Sequence, residues 1–174
     1  VTGDDIMLLP ASFVDSDSGS GIVMSVPAHA PYDWISLQDL KNSPDTLKEY
    51  GIDPEEVQNI EPKTIINVED YDDIPGKEAC EKFGVESQDD EEALEKATEE
   101  VYEKEFHSGT LNANCQDFAG ESVNSVKDRL IEQFENMGRF DSMHDFSEEV
   151  ICRCGGQVIV AQQESWFLEY GNKG

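Results

Sequence analysis

At 174 residues the chain has the length of one domain, and its 39 Asp and Glu against 12 Lys and Arg give a formal net charge of -27, which by charge alone should repel nucleic acid. No apolar run approaches the roughly 18 residues of a membrane span, and nothing near Val1 has the order of a signal peptide, so a cytoplasmic protein without a membrane segment is expected. The acids are spread along the whole chain rather than gathered in one tail, which favours a surface that stays hydrated in a salty, halophilic cytoplasm over a face for basic partners.

Val1-Thr2-Gly3-Asp4-Asp5 reads as a hairpin turn entered midway, so the start of the chain is expected to be a cut. Two apolar runs, 6–14 and 22–27, flank a polar turn and predict two strands. Pro27 ends the second, leaving 28–33 out of the ladder with its backbone groups free to meet something else. Asp33 then reads as the cap of a short helix over 34–41. Ser43-Pro44-Asp45 starts a second that Gly51 ends, and Asp53-Pro54-Glu55-Glu56 starts a third. A strand follows over 63–68, then a loop over 71–75.

From Gly76 to Gly138 the period is helical. Ser87-Gln88-Asp89-Asp90 resembles a capping box, and Leu94, Ala97, Val101 and Phe106 make an apolar stripe, with Gly109 after the helix end. Val123, Val126, Leu130, Ile131, Phe134 and Met137 make a second, closed by Gly138; both stripes are expected to be core. Residues 149–160 alternate around a Gly155-Gly156 hairpin turn, and 166–170 are extended. The fold class is therefore α+β: a strand-rich part over 1–71, a helical insertion over 76–145, strands over 149–170 and a tail over 171–174.

Of the four cysteines, Cys80, Cys115, Cys152 and Cys154, only the last two are close in sequence. Reduced thiols are expected. The metal alternative joins Cys152 and Cys154 to His144, Cys115 or His107, but no second Cys pair completes a ribbon, so no metal site is predicted.

The stretch Gly19-Ser20-Gly21-Ile22-Val23-Met24-Ser25-Val26-Pro27-Ala28-His29-Ala30-Pro31-Tyr32-Asp33 closely resembles the signature strand and loop of leucyl-tRNA synthetase editing domains of the archaeal and eukaryotic type. The resemblance continues, in order, through Leu8-Leu9-Pro10-Ala11-Ser12-Phe13-Val14-Asp15, Glu103-Lys104-Glu105-Phe106-His107-Ser108-Gly109 and Ser165-Trp166-Phe167-Leu168-Glu169-Tyr170. It implies that residues 1–170 are part of the editing domain inserted into a class I synthetase. The strand-rich portion would then belong to the editing β-barrel, and 149–170 would return to the catalytic core.

The implied reaction is post-transfer editing: hydrolysis of the ester joining a noncognate amino acid to the 3′ end of tRNA(Leu). A hydrophobic pocket gains only about 1–3 kcal/mol from one methylene, so near-isosteres of leucine call for a second sieve. The resemblance makes Asp33 the carboxylate that holds the α-ammonium, puts Met24 and Val26 in the side-chain pocket beside Ser25, and has Ala28, His29 and Ala30 present backbone groups to the adenosine and amino acid. A positioned water attacks, without a protein nucleophile. ATP and Mg would serve the catalytic domain of the parent enzyme, with no cofactor in this chain.

Each of these residues also has a plainer reading. Asp33 alone is an ordinary helix N-cap, His29 a structural side chain or a general base, and Met24 and Val26 core. The family's threonine-rich segment does not occur in these 174 residues, so the isolated chain is expected to be inactive and to self-associate. Two alternatives to the leucyl reading are an isoleucyl- or valyl-type editing domain and a non-catalytic acidic docking domain.

Overall fold

The computed structural model describes residues 6–14, 21–138, 146, 150–161, 164 and 166. The chain divides into two compact units, Val1–Lys127 and Asp128–Gly174. Expectations that fall on 1–5, 15–20, His144 and most of 162–170 lie outside the described residues.

Four helices begin on proline, which needs no N–H in the first turn and already has the helical φ. These are α1 (Pro31–Lys41), α2 (Pro44–Glu49), α3 (Pro54–Gln58) and α4 (Pro75–Phe83). The Asp53 carboxylate caps α3 by accepting from the Glu55 amide at 2.9 Å, as its sequence grammar predicts. The long α5 (Glu91–Ser108) and then α6 (Val123–Asn136) follow. Between them lie β2 (Thr110–Leu111) and a 3₁₀ segment, Ala113–Phe118.

The expected strand over 63–68 keeps only two ladder residues. This is β1 (Ile66–Asn67), antiparallel to β2 with Ile66 opposite Leu111 and Asn67 opposite Thr110. The side chains of Asn112 and Asn114 both donate to the Thr64 carbonyl, which occupies the backbone where the ladder would have continued. The strands expected at 6–14 and 22–27 are corrected. Neither is paired in a strand ladder among the described residues. Ile6, Leu8, Val23 and Met24 are accordingly exposed.

In the first unit α1, α4 and α5 pack on one another. Ile35, Cys80 and Leu94 form one buried cluster, and Ala79, Ala97 and Val101 the next. Leu37 and Leu40 of α1 bury against Leu47 of α2 and Val57 of α3. Glu100 on α5 takes the ammonium groups of Lys82 from α4 and Lys104 from its own helix, at 2.7 and 2.8 Å.

Two helix readings change in detail. The stripe Leu94, Ala97, Val101 is buried, but it continues at Glu105, four residues on, whereas Phe106 is 44% exposed. Four residues pass a full turn by only about 40°, whereas five pass it by about 140°. Upstream, the Asp90 carboxylate accepts from the Ser87 amide at 3.0 Å and the Ser87 hydroxyl from the Asp89 amide at 3.2 Å, the reciprocal pairing of the expected box, but on the turn ahead of α5 rather than in its first turn. Gly109 does follow α5, yet with φ -69 it needs no left-handed conformation. A Cβ there would run into the Glu105 carbonyl oxygen and lie 2.7 Å from Ile66 Cγ2, so its role is close approach.

The α6 stripe is core only in part. Val126 is buried, Leu130 and Phe134 are half-buried, and Ile131 and Met137 are exposed. Within the second unit the predicted hairpin is present: Ile151 bridges Gln157, the Cys152 amide donates to the Gly156 carbonyl at 2.8 Å, and Val158 donates to Val150 at 2.8 Å.

Candidate active site

The segment between Val26 and α1 is a tight turn. The Val26 carbonyl accepts from the His29 and Ala30 amides at 2.9 and 3.0 Å, the Ala28 carbonyl accepts from Gly76 of α4 at 2.9 Å, and the Ala30 carbonyl accepts from Trp34 at 2.9 Å. These groups, expected to be free, are therefore spent inside the fold, and Ala28, His29 and Ala30 are buried. Gly76 makes the approach possible, since a Cβ would stand 3.1 Å from the Pro27 oxygen and 3.2 Å from that of Ala30.

Because α1 starts at Pro31, Asp33 lies in its first turn and Ala30 takes the cap position, which corrects the reading of Asp33 as the cap. The Asp33 carboxylate turns back to accept from the Val26 amide at 2.6 Å. Burial pushes its pKa up, opposed by the hydrogen bonds from the Val26 amide and the Ser25 hydroxyl. Asp33 is 7% exposed, and none of the ion pairs among the described residues includes it. A desolvated carboxylate lacking a cationic partner is poised to receive one.

Asp33 opens into a depression of about 560 Å³ whose lining also includes Val23, Met24, Val26 and Ala30. Met24 is 83% exposed. Of the residues singled out in the sequence, Met24, Val26, Ala30 and Asp33 thus meet at one place, and Ser25 joins them through the Asp33 carboxylate. Ala28 and His29 do not line it. His29 is occupied on both ring nitrogens, by Glu105 at 2.5 Å and the Ile65 amide at 3.0 Å.

Local reading missed the rest of the wall. Tyr32 and Tyr102 line it, and Phe13 packs on Tyr32 with ring centroids 5.5 Å apart. Burial, then Glu95 and Glu91, raises the Tyr32 phenol; burial, then Asp33 and Glu105, raises that of Tyr102. Gln88 fastens the near side: its Oε1 accepts from the Ser12 and Ser36 hydroxyls at 2.5 and 3.1 Å, and its amide group donates to Asp39. No periodicity marks Gln88, whose signal is only that it precedes a helix. Asp89, Glu91 and Glu95 complete an acidic rim that suits a cationic group and repels phosphate. Among the described residues no group of three His, Cys, Asp or Glu side chains is placed to hold a metal.

No protein-family model matches the chain. It is 45% identical over 174 residues to the leucine–tRNA ligase of Methanothrix thermoacetophila, covering 99% of this chain and 18% of that protein. The corresponding enzyme of Archaeoglobus fulgidus is 42% identical over 170 residues, covering 97% of this chain and 18% of that protein. The chain belongs to the leucyl-tRNA synthetase family.

It spans less than a fifth of the length of these curated relatives. The part of the synthetase it represents follows from solved structures. A crystal structure of a leucyl-tRNA synthetase CP1 domain, GlLeuRS-CP1, superposes with a TM-score of 0.66 at 28% identity, covering 77% of this chain and 47% of that one. The editing domain of the Plasmodium falciparum cytosolic synthetase shares the fold, with a TM-score of 0.66 at 20% identity over 74% of this chain and 40% of its own. The synthetase segment therefore corresponds to part of the CP1 domain.

Proposed function

We propose that the segment forms the ammonium-binding wall of the site where the parent synthetase hydrolyses mischarged tRNA(Leu). The observation that carries this is Asp33: buried, outside every described ion pair, and open to a depression with apolar residues on one side. An α-ammonium restores the counter-charge that burial denies the carboxylate, while Met24 and Val26 meet the noncognate side chain. The acidic rim keeps the phosphates of the tRNA end away from this wall and leaves the ester at its mouth. Water adds to the ester carbonyl, the bond to the ribose oxygen breaks, and that oxygen takes the proton; the protein contributes placement.

The same reading accounts for the exposed apolar runs at 6–8 and 22–26. They are edges of an editing barrel whose remaining strands belong to the rest of the domain, since the solved editing domains are about twice as long as the part matched here. The tRNA 3′ end and the remainder of the synthetase are thus the partners. ATP and Mg are used in its catalytic domain, and the segment alone self-associates through those edges.

The test is Asp33→Ala in the full-length synthetase. Loss of a charge-assisted contact worth about 1.5–3 kcal/mol slows deacylation of mischarged tRNA(Leu) roughly tenfold to a hundredfold, with leucylation retained. Clearance at the parental rate would refute the assignment.

A further inference from the structure

Among the described residues, His29 carries the signature loop to α5 and to the backbone entering β1. Its Nε2 accepts the amide hydrogen of Ile65 at 3.0 Å. A backbone amide can only donate, so Nε2 bears no proton, and the ring proton sits on Nδ1. That nitrogen donates to Glu105 Oε1 at 2.5 Å, and the two side chains are 6% and 7% exposed. Glu105 follows Val101 on the buried stripe of α5, where an apolar side chain would fill the space without desolvating a charge. What the carboxylate adds is orientation: with it, one tautomer and one ring plane satisfy both neighbours.

We propose that Glu105 is a positioning residue for editing. It locks His29, and His29 ties the loop between Val26 and Asp33 to α5 and to the backbone entering β1, while Gly76 ties the same loop to α4. Asp33 at one end of the loop and Val26 at the other are thereby held at the spacing that aims the ester at the attacking water. This rests on the editing role given to Asp33 above.

The experiment uses the full-length synthetase with Glu105→Gln, Glu105→Leu and the double variant Glu105→Leu/His29→Leu. Steady-state deacylation of mischarged tRNA(Leu), leucylation and thermal midpoint are read for each, and the ¹⁵N signature of the His29 ring for the two single variants. Gln keeps an oxygen for the Nδ1 proton, so its kcat stays within about threefold of the parent and Nε2 stays unprotonated. Leu removes the acceptor, and kcat falls about tenfold or more with KM little changed, because a displacement of about 1 Å costs placement more than binding. The double variant exchanges the unpaired Nδ1 proton for an unpaired Ile65 amide, so its thermal midpoint stays near that of Glu105→Leu, and it remains slow in deacylation. Parental kcat in Glu105→Leu or in the double variant overturns the proposal, as does a Gln variant as slow as Leu. Asp33→Ala, assayed alongside, separates the two ideas: if it edits normally the editing-site reading fails, whereas a slow Asp33→Ala beside a fast Glu105→Leu removes only the positioning role.

Discussion

Asp33 Oδ2 accepts the Val26 amide hydrogen at 2.6 Å, so the carboxylate in the first turn of α1 is held by the residue just before the turn that leads into that helix. One oxygen is thereby committed to the fold. The carboxylate has burial working against its charge, and this sets up a conflict between stability and function.

Asp33→Asn is expected to stabilise the 174-residue chain at neutral pH while impairing editing in the full-length enzyme. The amide oxygen still accepts from Val26, and no charge is desolvated. The folded-state pKa of Asp33 is raised, so its proton stabilises the fold fully below the ordinary carboxylate range, and that contribution is lost as pH rises through the raised value. The advantage of Asn should therefore be small in acid and grow toward neutrality. Each kcal/mol gained raises the thermal midpoint by about 2–4 °C in a domain of this size. Melts of both proteins across the acid range check it; an advantage that shrinks with rising pH would contradict the burial argument.

The thiols should differ sharply in reactivity. Burial, with Glu81 nearby, pushes the Cys80 thiol up to about 12, and its Sγ lies 3.6 Å from the Pro31 carbonyl. Cys154 is exposed, and its pKa is lowered by the Cys152 sulfur 2.9 Å away and by the Gly156 backbone. Since the thiolate is the nucleophile, iodoacetamide at about pH 8 should label Cys154 first and leave Cys80 untouched until the chain unfolds. Peptide mass spectrometry over a time course reads the order, and early labelling of Cys80 in the native chain would count against its burial.

Salt should stabilise the chain. With a net charge of -27, like-charge repulsion acts over a screening length of about 10 Å at 0.1 M salt and about 3 Å at 1 M. The thermal midpoint is expected to rise markedly between about 0.1 M and 2 M KCl. A flat or falling trend would show that the surface acids are not under mutual strain.

By itself the sequence determined the pieces whose signals are local. Proline after a capping residue set the starts of α2 and α3, the period of Leu94, Ala97 and Val101 set the buried face of α5, and Gly155-Gly156 set the hairpin. The stretch from Gly19 to Asp33 carried the family and brought Met24, Val26, Ala30 and Asp33 forward as one site. The tertiary structure alone decided how that stretch is held. His29 meets Glu105, and Ser12 meets Gln88, each across 76 residues of chain, a separation over which no periodicity carries information. The strands expected at 6–14 and 22–27 show the same limit from the other side. An apolar run states that a strand could form there, but a ladder needs a neighbour, and only the fold decides whether one is beside it.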